Sequence, residues 1–188
     1  MDELREKSMS RTDTRVFLKG VENEELRRRI EAFFYSLTSE LDMFGISLAQ
    51  ILQCRLLIVK ENEGGILGIS GVLKGNYTFV VVEKKYQNRG IGRILFDELV
   101  RWAPRASCDF VMGNAVASNV GINRIWKEAG GRVLYSTVLG GRKHYLQFIS
   151  FNWRGVVWGC SLRLLRLIKS PTGLMGFLSK MLKVLRLS

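Results

Sequence analysis

The chain has no acidic residue after Glu128, although 17 stand at or before that position. Ten of its 29 Lys and Arg fall in that last stretch, whereas the preceding part carries 19 basic and 17 acidic side chains and is close to neutral. The basicity therefore belongs to one end, and a one-signed end suggests an anionic partner, either a lipid surface or a nucleic acid. Histidine is almost missing. His144 stands alone, with no histidine cluster and no Cys-x-x-Cys pair, which argues against a zinc centre and a histidine-based nucleophilic triad, so no metal is expected. The three cysteines, Cys54, Cys108 and Cys160, lack pairing-like spacing and read as small buried hydrophobes of a reducing compartment. Residues 1–6 are charged and have no apolar centre of the kind a signal peptide needs, so the expected location is cytoplasmic. What the chain does have is apolar content: 47% of its 188 residues, enough for one substantial domain with an appendage.

The most informative stretch is Gln87-Asn88-Arg89-Gly90-Ile91-Gly92. It follows the apolar run Phe79-Val80-Val81-Val82 and opens an amphipathic segment ending near Trp102, which reads as strand, glycine loop and helix. That order aims backbone N–H groups and the positive end of a helix dipole at one point, where a phosphate can bind. Two familiar phosphate loops fit poorly. A P-loop ends in Gly-Lys-Ser or Gly-Lys-Thr, and neither tripeptide occurs. A dinucleotide fingerprint needs a third Gly or Ala where Leu95 stands and a glycine almost directly after the strand, whereas residues 83–89 intervene.

The rest of the chain supplies alternating strands and helices. Leu26, Ile30, Phe33, Phe34 and Leu37 recur at helical spacing, after a polar and loosely ordered stretch over residues 1–15. Strands are expected at residues 55–60, 66–73 and 77–83, the first two joined by the turn Glu61-Asn62-Glu63-Gly64-Gly65. Ile91, Ile94, Leu95, Leu99 and Trp102 give the next helix its apolar face, and Pro104 marks its end. Residues 108–112 form a strand, so strand, helix and strand make a right-handed unit with two parallel strands. A helix capped by Ser118 or Asn119 stops at Gly130-Gly131, and residues 133–138 and 144–151 close the fold as a hairpin.

This pattern resembles the GCN5-related N-acetyltransferase (GNAT) superfamily. The family's acyl-CoA loop, Gln/Arg-x-x-Gly-x-Gly/Ala, is matched by Gln87, Gly90 and Gly92, and the Asn, apolar, aromatic and Gly spacing of its later helix by Asn119, Ile122, Trp126 and Gly130. The resemblance implies an α+β fold: a mixed, mostly antiparallel sheet with a central parallel strand pair flanked by helices. The expected organisation is one acyltransferase domain over 1–151 followed by a basic amphipathic helical extension over 152–188; the resemblance covers residues 15–151 in layout, with its specific motifs between Tyr77 and Gly131. It further implies acetyl-CoA as co-substrate, with Asn88, Arg89, Gly90, Ile91, Gly92 and Arg93 at the pyrophosphate, and Val80, Val81 and Val82 hydrogen-bonding the pantetheine arm as another strand would. Asn119 falls near the thioester end, and Trp126 is counted with it, although packing against the sheet is its other reading. The acceptor it implies is an amine, of a small molecule or a protein, expected to attack the thioester directly in a ternary complex.

The proton-transfer groups depart from the family pattern. Trp126 stands where many relatives have tyrosine, and an indole N–H does not ionise usefully. Asn114 occupies a strand position where some relatives carry glutamate; it can orient water or polarise a carbonyl but takes no proton at neutral pH. Glu83, at the end of the cofactor-facing strand, is the nearest carboxylate in sequence, with a solvated charge beside Lys84 and Lys85 as its other reading. Tyr135 is the substitute acid, against a packing role in its strand, and His144 is read as structural. A non-catalytic acyl-CoA-binding module is the alternative that these departures motivate.

In the extension, Leu174, Leu178, Met181, Leu182 and Leu185 form an apolar stripe opposite Ser179, Lys180, Lys183 and Arg186, and residues 161–169 repeat the pattern with Arg163, Arg166 and Lys169. Neither piece reaches the roughly 18 to 20 uncharged apolar residues of a membrane span. Two readings stand side by side: packing on the domain or on a second copy as a homodimer, and peripheral contact with an anionic membrane, favoured by Trp153, Trp158 and Phe177. Nucleic acid is disfavoured because a phosphate-binding helix has no use for a wide apolar face.

Overall fold

The computed structural model describes residues 13–18, 21–37 and 46–169, which form two compact units divided after Ser107. In the first unit, β1 (Asp13–Leu18), β2 (Leu56–Asn62), β3 (Gly65–Val72) and β4 (Thr78–Val82) form an antiparallel sheet in chain order. Helices α1 (Glu24–Ser36) and α2 (Leu48–Leu52) pack on one face. Leu26, Ile30, Phe33 and Phe34 of α1 meet Leu57, Val59, Ile69, Phe79 and Val81 there. Helix α3 (Ile91–Trp102) crosses β2, β3 and β4 on the other face. Buried Ser70 donates its hydroxyl to Leu95 O at 3.0 Å on that side.

Strand β1 and helix α2 were not expected from the sequence. The side chains of Asp13, Thr14 and Arg15 are exposed, so an edge strand here shows no apolar alternation. Its anchor is tertiary: Glu61, 4% exposed, lies 2.6 Å from Arg15 Nε and 2.6 Å from Arg29 Nη2, beside the bulge where the β2–β3 register shifts. Helix α2 is held by a capping box, with Ser47 accepting from Gln50 N at 3.3 Å and Gln50 Oε1 accepting from Ser47 N at 2.8 Å.

In the second unit, β5 (Phe110–Val116), β6 (Arg132–Leu139) and β7 (Arg142–Ser150) form an antiparallel sheet in the order β5-β7-β6. Helix α4 (Val120–Glu128) joins β5 to β6, and α5 (Trp153–Lys169) follows β7. Gln147 Nε2 on one sheet face donates to Asn123 Oδ1 of α4 at 2.6 Å. On the other face, a Cβ placed at Gly159 of α5 would come 3.0 Å from the Phe148 ring. The central parallel pair, which the resemblance implies would splay to admit the pantetheine arm, forms no ladder between β4 and β5: the two strands belong to different sheets, and every strand pairing among the described residues is antiparallel. A strand–helix–strand order in sequence does not by itself fix which strands exchange hydrogen bonds. The helix expected from residue 161 begins eight residues earlier, at Trp153, while the stripe from Leu174 onward lies outside the described residues.

Candidate functional site

In the first unit the glycine loop joins β4, an edge strand, to the start of α3. Glu83 N donates to Leu67 O at 3.0 Å, which sets the alternation of the β3–β4 ladder: Phe79 and Val81 bond β3, and Val80 and Val82 turn their N–H and C=O groups to the edge that no described strand covers. Of the three valines expected to meet a pantetheine arm, Val81 thus has its backbone engaged with β3 and its side chain in the core. The Val82 carbonyl accepts from Gln87 Nε2 at 3.0 Å, so Gln87 ties the loop to the strand end.

The loop itself turns through two left-handed residues. Asn88 has φ 60°, a conformation asparagine tolerates, and Gly90 has φ 81°. Gly90 occupies the N-cap of α3 without any side-chain cap, and the helix begins with Ile94 N bonding Gly90 O at 3.1 Å. The first-turn N–H groups of a helix have no carbonyl four residues back, so an uncapped start leaves them directed outward with the positive end of the dipole. A Cβ at Gly90 would meet nothing within 4 Å, and one at Gly92 would touch only Val82 Cγ2 at 3.6 Å. Backbone and open space therefore coincide at the loop. The rim is positive: Lys85 Nζ and Arg89 Cζ lie 4.9 and 5.7 Å from the Tyr86 ring centre, and Arg93 Nε lies 3.7 Å from Asp97.

Glu83, at the N-cap of the short turn Lys84–Tyr86, is half-buried and bonds Lys85 Nζ at 2.8 Å. That hydrogen bond is the main reason the exposed Lys85 ammonium titrates above its usual value. An edge-strand backbone, an uncapped helix start and a cationic rim together make a place for an elongated ligand with an amide-bearing arm and a polyanionic end.

The matching family model is described as the acetyltransferase (GNAT) family and spans residues 22–130, more than half of the chain. The chain belongs to that family. Solved GNAT structures share its fold at low identity. One is a GNAT-family acetyltransferase from Streptococcus pneumoniae, 16% identical, with a TM-score of 0.58 over 76% of this chain and 100% of its own. A second is yncA from Salmonella typhimurium, solved with its cofactor acetyl-CoA, 16% identical, with a TM-score of 0.53 over 76% of this chain and 95% of its own. The NatC complex bound to Gag peptide and CoA supplies a third chain, 16% identical, with a TM-score of 0.55 over 74% and 99%. No curated protein matches the chain in sequence.

The remaining GNAT-motif residues lie in the second unit. Asn119 is the N-cap of α4, its Oδ1 accepting from Ile122 N at 3.1 Å. Trp126, expected beside the cofactor, is 3% exposed and is the one fully buried side chain of α4. An amphipathic helix of nine residues turns its largest apolar group inward, so the packing reading describes Trp126. The helix ends as the glycines require: Gly130 at φ 80°, Gly130 N to Lys127 O at 3.1 Å and Gly131 N to Trp126 O at 2.8 Å.

Asn114 and Tyr135, named as candidates separately, prove to be neighbours. Both are register partners of Leu146, one from β5 and one from β6, so the three side chains share a row on one sheet face. His144 occupies the next row on that face between Val116 and Thr137, half-buried, so the histidine read as structural stands diagonal to Tyr135. Asn123 was not singled out from the sequence. Its Nδ2 donates to Asn119 O at 2.7 Å, Val116 O at 3.0 Å and Ala117 O at 3.2 Å, which fixes the turn carrying Asn119. An Asn one turn after an Asn cap was the available signal. Cys54 and Cys108 are buried as expected, but Cys160 is exposed on α5. Burial pushes the Cys54 thiol up to about 12. Among the described residues no group of three or more His, Cys, Asp or Glu could hold a metal ion.

Proposed function

We propose that this GNAT-family chain transfers an acetyl group from acetyl-CoA to an amine. The observation that carries the reading is the coincidence, at one loop, of the outward-facing backbone of Val80 and Val82, the uncapped start of α3 and the open space in front of Gly90. Bound acetyl-CoA supplies a thioester carbonyl open to attack by a nucleophile. The backbone of Val80 and Val82 takes the pantetheine amides as a further strand would. The loop from Asn88 to Arg93 takes the pyrophosphate, where a helix start contributes about 0.3 to 2 kcal/mol toward an anion.

Much of the rate comes from holding the amine near the thioester, since orientation alone lowers a bimolecular barrier substantially. Glu83 is the proposed base. Its pairing with Lys85 keeps the carboxylate directed rather than freely rotating. Tyr135 is the proposed acid, with Asn114 in the same row orienting water. Tyr135→Phe should lower turnover by about 10² with acetyl-CoA affinity unchanged, the size of one lost acid.

Calorimetric titration with acetyl-CoA tests the reading, with Gly90→Glu, Gly92→Glu as the comparison. Saturable binding that the double variant loses by roughly a hundredfold supports it, because both added carboxylates would face the pyrophosphate. A folded wild type that binds no acetyl-CoA overturns it. Binding without turnover on any amine would leave the site as an acyl-CoA-binding module.

A further inference from the structure

Helix α5 is built the wrong way round for a helix that merely covers a sheet. Its inner face carries two glycines with Leu162, and Trp158 beside them reaches the Phe110 ring at 6.1 Å: Gly155 and Gly159 are buried, a Cβ at Gly155 would run into the Asp109 carbonyl, and one at Gly159 would press on the Phe148 ring. Phe110, stacked on Phe148 at 5.0 Å, completes that contact. The outer face carries Trp153, Val157, Cys160 and Leu164, spaced i, i+4, i+7 and i+11, which at the helical repeat lie in one stripe opposite the glycines. All four are exposed, Trp153 to 72%, Val157 to 54% and Leu164 to 42%, and Val156 adds to the stripe at 53%. A helix packed on one side of a soluble domain ordinarily turns its polar face outward. Here the apolar face is outward.

The charges beside the stripe are of one sign. Arg154 and Arg163 fall on opposite flanks of it; Arg154 lies 5.6 Å from the Trp153 ring, and Arg163 Nη2 reaches Val133 O at 3.1 Å. No acid occurs in α5 or anywhere after Glu128. We propose that this outer face of α5 docks in plane on an anionic lipid surface, the stripe entering the headgroup boundary and the two arginines meeting lipid phosphates.

Two other occupants fit less well. The stripe offers on the order of a few hundred Å², short of the roughly 800 Å² per partner of a stable dimer. Residues 170–188 carry Lys180, Lys183 and Arg186 without an acid, so covering α5 with them would add cations beside Arg154 and Arg163 with no counter-charge. The inference is independent of acetyl transfer and stands or falls separately from it.

The full-length protein carries its own probe, because Cys160 lies within the stripe while Cys54 and Cys108 are buried. Maleimide labelling of Cys160 should be fast in free protein and slow roughly tenfold on adding phosphatidylglycerol-containing vesicles, with no slowing by phosphatidylcholine alone. Co-sedimentation with the anionic vesicles should fall by a similar factor in Val157→Glu, Leu164→Glu, whose side chains face solvent and whose thermal melt should match the wild type. A Cys160 already protected in dilute free protein would mean that the chain covers its own stripe. Protection that rises with protein concentration would mean a second copy does so. Either result overturns the proposal, as does vesicle binding indifferent to headgroup charge or to the double variant.

Discussion

In the first unit acids meet bases. Glu61 is enclosed by Arg15 and Arg29, Glu83 bonds Lys85, Glu98 bonds Arg101, and Asp97 faces Arg93. In the second unit only Asp109 and Glu128 are acidic: Asp109 accepts from Asn152 and Glu128 pairs with Arg124, while Arg132, Arg142, Lys143, Arg154 and Arg163 are all exposed. The packing differs in the same sense. Large side chains from α1 and three strands fill one face of the first sheet, whereas α5 approaches the second sheet through two glycines and leaves its apolar stripe outside. The first unit spends its charge internally on holding the fold, whereas the second leaves its charge and an apolar stripe exposed.

The sharpest way to break this contrast is at the glycine contact. Gly155→Ala should destabilise the second unit by about 3 kcal/mol, because a methyl directed at the rigid Asp109 backbone forces helix and strand apart. A urea midpoint unchanged by the substitution would mean that α5 is not seated through its glycines. Next comes the buried acid of the first unit. Glu61→Gln should cost about 2 kcal/mol, since two charge-assisted hydrogen bonds at a nearly buried carboxylate are weakened while the arginines keep partial access to water. The loss should persist at high salt, unlike that of an exposed pair.

Smaller effects sharpen the picture inside the first unit. The Cys54 thiol, at about 12 in the fold against the ordinary 9.0, stays protonated where the unfolded chain ionises. A raised thiol value means that stability is intact below pH 9.0 and falls as pH rises from there toward about 12. At about pH 10 the deficit should be about 1.4 kcal/mol, absent in Cys54→Ala, and thermal melts across that range read it directly. Smallest is Gln87→Ala, which frees the end of β4 from the glycine loop. It should weaken acetyl-CoA binding about fivefold, through lost preorganisation worth about 1 kcal/mol, with the melt almost unmoved.

Much of the site was legible because its chemistry is local. Gln87, Gly90 and Gly92 lie within six residues, and a left-handed turn before an amphipathic helix announces itself by glycine spacing alone. Asn119 and Gly130 were readable for the same reason, as the two ends of one helix. Harder were features with long-range causes. β1 carries no alternation and is explained by Glu61, more than forty residues away. Asn114, Tyr135 and His144 looked unrelated along the chain, and only the antiparallel register through β7 sets them on one face. Val81 could not be told from Val80 and Val82, since which valine bonds β3 follows from where the ladder starts.

By itself, then, the sequence determined the glycine loop, the helix capped by Asn119, the strand spacing from residue 55 onward and the one-signed end, all set by short-range sterics, periodicity and charge. Tertiary structure alone decided which strands pair, which backbone groups reach an open edge, and that α5 turns glycine inward and tryptophan outward. Those outcomes depend on close approach between segments far apart in the chain, and no local propensity encodes which of two helix faces another segment will meet.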